Sequence, residues 1–287
     1  MDELKHVLSV GDELGEGPLW NPDDHSLYWV DILKNCYHRY HPASGAHQVF
    51  EVGENIGVLA FRQKGGMVMA TEHGFAFWNP EKKTLERIGD PEKDKPQTKF
   101  NDGAVDRQGR FWAGTLGDSY NNSLYRLDPD LSIHRMDTGF DCSNGIGWSL
   151  DNKVMYFTDS TPGIIYAYDF DPGTSGIENR RVFIDSSDRP GLPDGLTVDR
   201  EGYIWSARWD GWCVERYDPD GKLERTVRLP VQFPTSVMFG GENLDDLYIT
   251  SARIEIPLAE RQQHPQAGDL FCLKAGVRGL LEPKFAG

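Results

Sequence analysis

The chain has 287 residues, 38% of them hydrophobic and 11% aromatic, enough apolar material for a folded core, with an ordinary charged fraction of 26%. A net charge of -15 opposes phosphate backbones and anionic bilayers, so nucleic acid and membrane surfaces are excluded as expected partners. No run approaches the roughly 18 apolar residues of a membrane span, and MDELKHVLSV has neither a basic region nor a long apolar core, so a cytoplasmic protein is expected. Four separated cysteines, Cys36, Cys142, Cys213 and Cys272, form no CxxC pair and read as buried free thiols.

In chain order, one pattern recurs six times: a turn rich in Asp, Asn and Gly, then a short aromatic or β-branched strand. The copies are HSLYWVDI, GGMVMAT, GRFWAGT, KVMYFTDS, GYIWSAR and DDLYITS, spaced by 40 to 49 residues. About ten residues before each lies another apolar segment, EGPLW, IGVLAF, NDGAVD, NGIGW, DGLTV and TSVMF, so each pair reads as a hairpin. A third strand follows, as in FAFWNP or VERYDP, and in most copies a fourth, such as HQVFEV. Four antiparallel strands in each of six repeats predict an all-β, six-bladed β-propeller occupying residues 1–287 as one domain. The last copy is short, and His6–Val10 is expected to supply its outer strand, closing the ring and covering an edge.

In such a ring the first strand of each blade lines the axis. Aligning the repeats places Glu16, Ile56, Asn101, Asn144, Asp194 and Thr235 at equivalent positions, five of them polar. The second strand runs back to the same face, bringing Glu72, His73, Asp118, Ser119, Trp209, Asp210 and Arg253 toward the same mouth. Two carboxylates confined together repel unless a cation compensates them. Glu16, Asp194 and the amide oxygen of Asn144 form an all-oxygen set suited to one divalent ion, Ca²⁺, Mg²⁺ or Mn²⁺, with Zn²⁺ or Fe²⁺ less favoured. Residue types alone leave a second reading open, in which these groups merely hydrogen-bond to each other and to channel water.

GEGPLW (15–20), FNDGAVDRQGRFWAGT (100–115), SNGIGWSLDNKVMYFTDS (143–160) and LPDGLTVDREGYIW (192–205) resemble the signature segments of the regucalcin, gluconolactonase and luciferin-regenerating-enzyme family, in the same order over nearly the whole chain. The resemblance implies a six-bladed propeller with one divalent cation in its channel and hydrolysis of aldonolactones. It implies that Glu16, Asn144 and Asp194 are the metal ligands and that Asn101 contacts substrate near the metal. Lys99 stands where the animal regucalcins carry an arginine that holds substrate hydroxyls, and Ser119, with Asp118 beside it, replaces their nearby glutamate. Implied with it is a water attack on the metal-polarised carbonyl of a small sugar-lactone substrate, with Asp194 as proton acceptor and Lys99, Asn101 and Asp118 orienting hydroxyls. A monomer or weak homo-oligomer is expected.

Other signals carry less. No GxSxG elbow is present, and DPDG (218–221) and DFDPG (169–173) lack the glutamate of a calcium loop and read as turns. The proline-broken segment 89–100 reads as a mobile loop that leads into Asn101 and would be placed to act as a lid. Trp209 and Trp212 are candidates for stacking on a sugar or covering the rim. Two competing functions remain at this level: a hydrolase of other esters or organophosphates at the same centre, and a non-catalytic calcium-binding propeller.

Overall fold

In the computed structural model, which describes residues 4–287, strands of five to nine residues fold into six four-stranded antiparallel sheets. Blades 1 to 5 are continuous in sequence, spanning residues 15–51, 56–89, 99–140, 143–185 and 192–228. Blade 6 takes three strands from residues 233–274 and its outermost from Leu4–Leu8, which pairs antiparallel with Leu270–Lys274. The closing strand thus ends two residues before the expected Val10. The reason is Asp269, whose carboxylate accepts from the backbone N–H groups of Val10 and Gly11 and from the His6 ring, pulling the chain out of the sheet.

The alternation of apolar and small residues read from the sequence buries one cluster at each of the six blade interfaces. Trp29, Trp112 and Trp205 occupy equivalent places in blades 1, 3 and 5 and are fully buried. Each indole N–H donates to a buried carboxylate, Asp12, Asp106 and Asp199 respectively, at 2.8 to 3.0 Å, so the polar edge of each ring is satisfied inside the core.

All six innermost strands slip register beside their axial residue: after Glu16, Ile56, Phe100, Ser143, Pro193 and Pro234. A bulge re-aims side chains and increases local twist, and here it repeats with the symmetry of the ring. It also brings backbones together at the axis. A β-carbon on Gly57 would lie 2.2 Å from the Asn101 carbonyl oxygen, and one on Gly195 would lie 2.0 Å from the Ser236 hydroxyl. Glycine at these places is a packing requirement.

After blade 6 the chain crosses the far end of the ring as a strap, residues 278–287. Its backbone bonds to Arg200 and Leu244 on one side of the axis and to Phe61, Gln63 and Gly109 on the other, with Phe285 buried between blades 2 and 3. No helix among the described residues is long and apolar enough to cross a membrane. The segment 89–100 is tied down: buried Glu92 accepts from the hydroxyls of Thr98 and Tyr125 and pairs with Lys95.

Candidate active site

Four of the six axial positions supply polar side chains to one cavity of about 190 Å³ at the near end of the channel: Glu16, Asn101, Asn144 and Asp194. Ile56 is buried, and Thr235 spends its hydroxyl on the Gly15 carbonyl and on Thr250. Asn101 donates its amide to the Ser143 carbonyl at 3.0 Å. Asn144 donates to the Ser160 hydroxyl at 3.0 Å, which leaves its amide oxygen buried without a partner. One oxygen of Asp194 is equally buried and unpartnered. Glu16, 6% exposed, accepts among the described residues only from its neighbour's N–H, that of Gly17, at 2.9 Å.

Burial first, and then the charges of Asp194 and Asp102, hold the Glu16 carboxyl well above the usual carboxylate range. Asp194 is raised likewise by burial and by Asp102, against which the Gly195 N–H and the Asn144 amide act. Asp102 is pushed up to about 6 by burial. Glu16 and Asp194 in this cavity, with Asp102 close behind and no cationic side chain among the described residues that line it, are a site that an added positive charge would stabilise.

Asp102 was missed by the sequence reading. Regular alternation would turn it away from the axis when Asn101 faces it, but the register slip between Phe100 and Gly103 leaves both residues unpaired, and Asp102 lines a second, lower cavity of about 50 Å³ with Gly17, Ser236, Glu282 and Pro283. The only sequence signal is the adjacency of two polar residues in FND at a strand start.

Of the other predicted contacts, Lys99, Asp118 and Ser119 are not among the residues that line this cavity. Lys99 pairs in register with Leu116, and it is Leu116 that lines the cavity, whereas half-buried Asp118 and exposed Ser119 follow in the connecting loop. Trp209 does line the cavity, its ring 4.7 Å from Phe233, while Trp212 turns toward His264. Glu72 accepts from the Asn55 N–H, Asp210 accepts from Gln232, and His73 is exposed. Arg253 and Arg261 both grip Glu13, which holds its carboxyl down at about 2 and anchors the segment 253–268 beside the mouth. The four cysteines are free thiols, Cys36 and Cys213 buried and Cys142 and Cys272 partly exposed; Cys142 lines the cavity, and burial, then Asp194, pushes its thiol up to about 12, away from the reactive thiolate.

A second cluster, buried Asp12, Asp31 and His38, brings ligand-type atoms within 4.8 Å of one another at the junction of the closing strand and blade 1. Most of its polar atoms are engaged, although one Asp12 oxygen is buried without a hydrogen-bond partner among the described residues. The Lys34 ammonium lies 2.9 Å from Asp31, whose carboxylate also takes the N–H groups of Glu13 and Leu14, and Asp12 holds the Trp29 indole with His38 at 3.2 Å. This cluster fastens the closure, and the axial set is the better metal candidate.

Comparison with known proteins agrees with this architecture. A regucalcin of Danio rerio is 37% identical over 99% of both chains, and a pentonolactonase of Haloferax volcanii is 38% identical over 87% of this chain and 85% of its own. The crystal structure of a calcium-binding protein, regucalcin, from Agrobacterium tumefaciens superposes with a TM-score of 0.94 at 29% identity, covering 98% and 97% of the two chains. Residues 14–253 match the model of the SMP-30/Gluconolactonase/LRE-like region, a stretch that contains the four axial polar residues lining the cavity. The chain belongs to the SMP-30/gluconolactonase/LRE-like family.

Proposed function

We propose that this chain hydrolyses the ring ester of sugar-acid lactones with the help of one divalent cation held by Glu16, Asn144 and Asp194. The observation that carries the reading is the pair of buried oxygens, on Asn144 and Asp194, that have no hydrogen-bond partner beside the Glu16 carboxyl. Unpaired buried oxygens of this kind are costly unless a ligand takes them, and an all-oxygen set suits Ca²⁺, Mg²⁺ or Mn²⁺ better than Zn²⁺ or Fe²⁺. Relatives named as lactonases support the same chemistry.

When bound, the cation supplies Lewis acidity at a carbonyl oxygen and stabilises negative charge developing there. Asp194 accepts a proton from the attacking water as its oxygen adds to the carbonyl carbon. The ring C–O bond then breaks, and the same proton passes to the departing ring oxygen, giving the open hydroxy acid. Asn101, with its amide fixed on Ser143, orients substrate from the floor, and Lys99, Asp118 and Ser119 meet hydroxyls at the rim.

The test is a panel of aldonolactones, glucono- and xylonolactone among them, followed by acid release with metal-stripped and metal-reloaded protein. Turnover restored by a divalent ion supports the reading. Full turnover by protein shown to be metal-free ends the metal assignment, and tight cation binding without turnover of any lactone leaves a non-catalytic calcium-binding propeller.

A further inference from the structure

The walls above the polar floor differ from it in chemistry. Leu14, just before blade 1, Leu116 of blade 3 and Leu192 and Trp209 of blade 5 are each partly exposed, and apart from Ser160 and Thr161 the side walls offer no hydroxyl or amide side chain among the described residues. Ser160 is already bonded to Asn144. Leu14 and Trp209 are backed by Phe233 and Ile256, so the apolar collar is a continuation of the core and is held in place by it.

The cavity continues past Thr161, Leu192 and Trp209 into an adjoining cleft of about 440 Å³. The cleft holds two charged side chains among the described residues that line it, and both are engaged. Arg189 donates to Glu215 at 3.1 Å and to the Tyr217 hydroxyl at 2.6 Å, and Asp210 accepts from Gln232 at 2.6 Å. An anionic substituent entering here would meet no uncommitted cation and would face the axial carboxyls.

The geometry points to a site that selects neutral sugar-acid lactones whose exocyclic end is deoxygenated, with the ring ester on the polar floor and the methyl-bearing end along Leu192 and Trp209. This selection rests on the lactone-hydrolysis reading above. A terminal hydroxyl lying along Leu192 and Trp209 would lose water with only the Thr161 hydroxyl near to replace it, whereas a methyl group fills the collar. A hydroxyl buried without compensation costs enough to separate two such substrates about tenfold in kcat/KM. A phosphorylated end, offered only a guanidinium already paired with Glu215, is disfavoured further.

Matched pairs that differ by one oxygen test this directly: D-fucono- against D-galactono-1,4-lactone, and L-rhamnono- against L-mannono-1,4-lactone, with 6-phosphogluconolactone as the anionic member. The expected result is a deoxy preference of about tenfold in kcat/KM in at least one pair, expressed mainly in KM, and slow turnover of the phosphorylated lactone. Equal or inverted preference in both pairs, or best turnover of the phosphorylated lactone, overturns the selection while leaving lactone hydrolysis standing. No turnover of any lactone overturns the parent reading and the selection with it. Leu192→Asn, which places an amide in the collar, is expected to erase the preference with an unchanged melting temperature, and a preference that survives it removes Leu192 from the role.

Discussion

The side-chain amide of Asn144 donates to the hydroxyl of Ser160 at 3.0 Å, while its oxygen is buried with no hydrogen-bond partner among the described residues. If that oxygen holds the proposed cation, Ser160 would be a positioning residue for it. Ser160→Ala should weaken calcium binding about tenfold in a calorimetric titration, the lower range for loss of a group that orients a ligand, while Ser160→Thr should restore it. Unchanged affinity in the alanine variant would show that the amide is oriented by something else.

Removal of a ligand and removal of a rim contact should separate. Asp194→Ala should abolish both turnover and the rise in Tm that the metal gives to native protein by mass action. Lys99→Ala should keep the metal-induced rise and lose about ten- to a hundredfold in kcat/KM, mainly through KM, as expected for a charged hydrogen bond made equally in ground and transition states. A lysine variant with normal KM and a kcat lower by orders of magnitude would place Lys99 in the chemistry.

The raised carboxyls give the metal-free protein a particular pH dependence. Asp102 titrates at about 6 in the folded chain, and Glu16 and Asp194 are raised well above their ordinary values, whereas in the unfolded chain all three lose protons near pH 4. Between these limits the folded state holds protons that the unfolded state has released, so this contribution is present below about pH 4 and is lost as pH rises through 6 and beyond. Bound metal removes the penalty. The Tm difference between calcium-loaded and chelator-treated protein should therefore widen from pH 5 to pH 8, and a difference independent of pH would contradict the shared buried charge.

Ring closure depends on a short strand and one carboxylate. Asp269, 3% exposed, takes two backbone N–H groups and the His6 ring, and its replacement by Asn should cost about 1 to 3 kcal/mol, seen as a Tm lower by roughly 3 to 10 °C. Deleting residues 1–10 should expose the edge of Leu270–Lys274 and promote aggregation. A truncated protein that melts like the intact chain would show that the strap alone holds the circle.

The sequence made the ring legible because each blade repeats the same turn, aromatic strand and proline-closed edge, and the axial residues fall at one phase of that repeat. Glu16, Asn101, Asn144 and Asp194 were accessible for that reason. Asp102 was not, because a register slip sends two neighbouring residues to the channel where strand alternation allows one. Leu14, Leu116 and Leu192 look like ordinary core positions, and only the three-dimensional convergence of separate blades marks them as a cavity wall. The segment 89–100 has the composition of a mobile loop, yet one buried glutamate, Glu92, with its hydroxyl partners is enough to fix it.

The strap crosses the ring at the end of the channel away from the candidate site. Glu282 and Pro283 roof the lower cavity, and backbone bonds on both sides of the axis hold them there. If the chain opens lactones as proposed and the strap bars passage beneath, substrate and product would share the one doorway above the polar floor, and a second substrate molecule would wait for the product to leave. Accumulated hydroxy acid would compete for the same space and slow its own formation, and traffic through that doorway, governed by the rim of blades 3, 5 and 6, would set the pace once chemistry is fast.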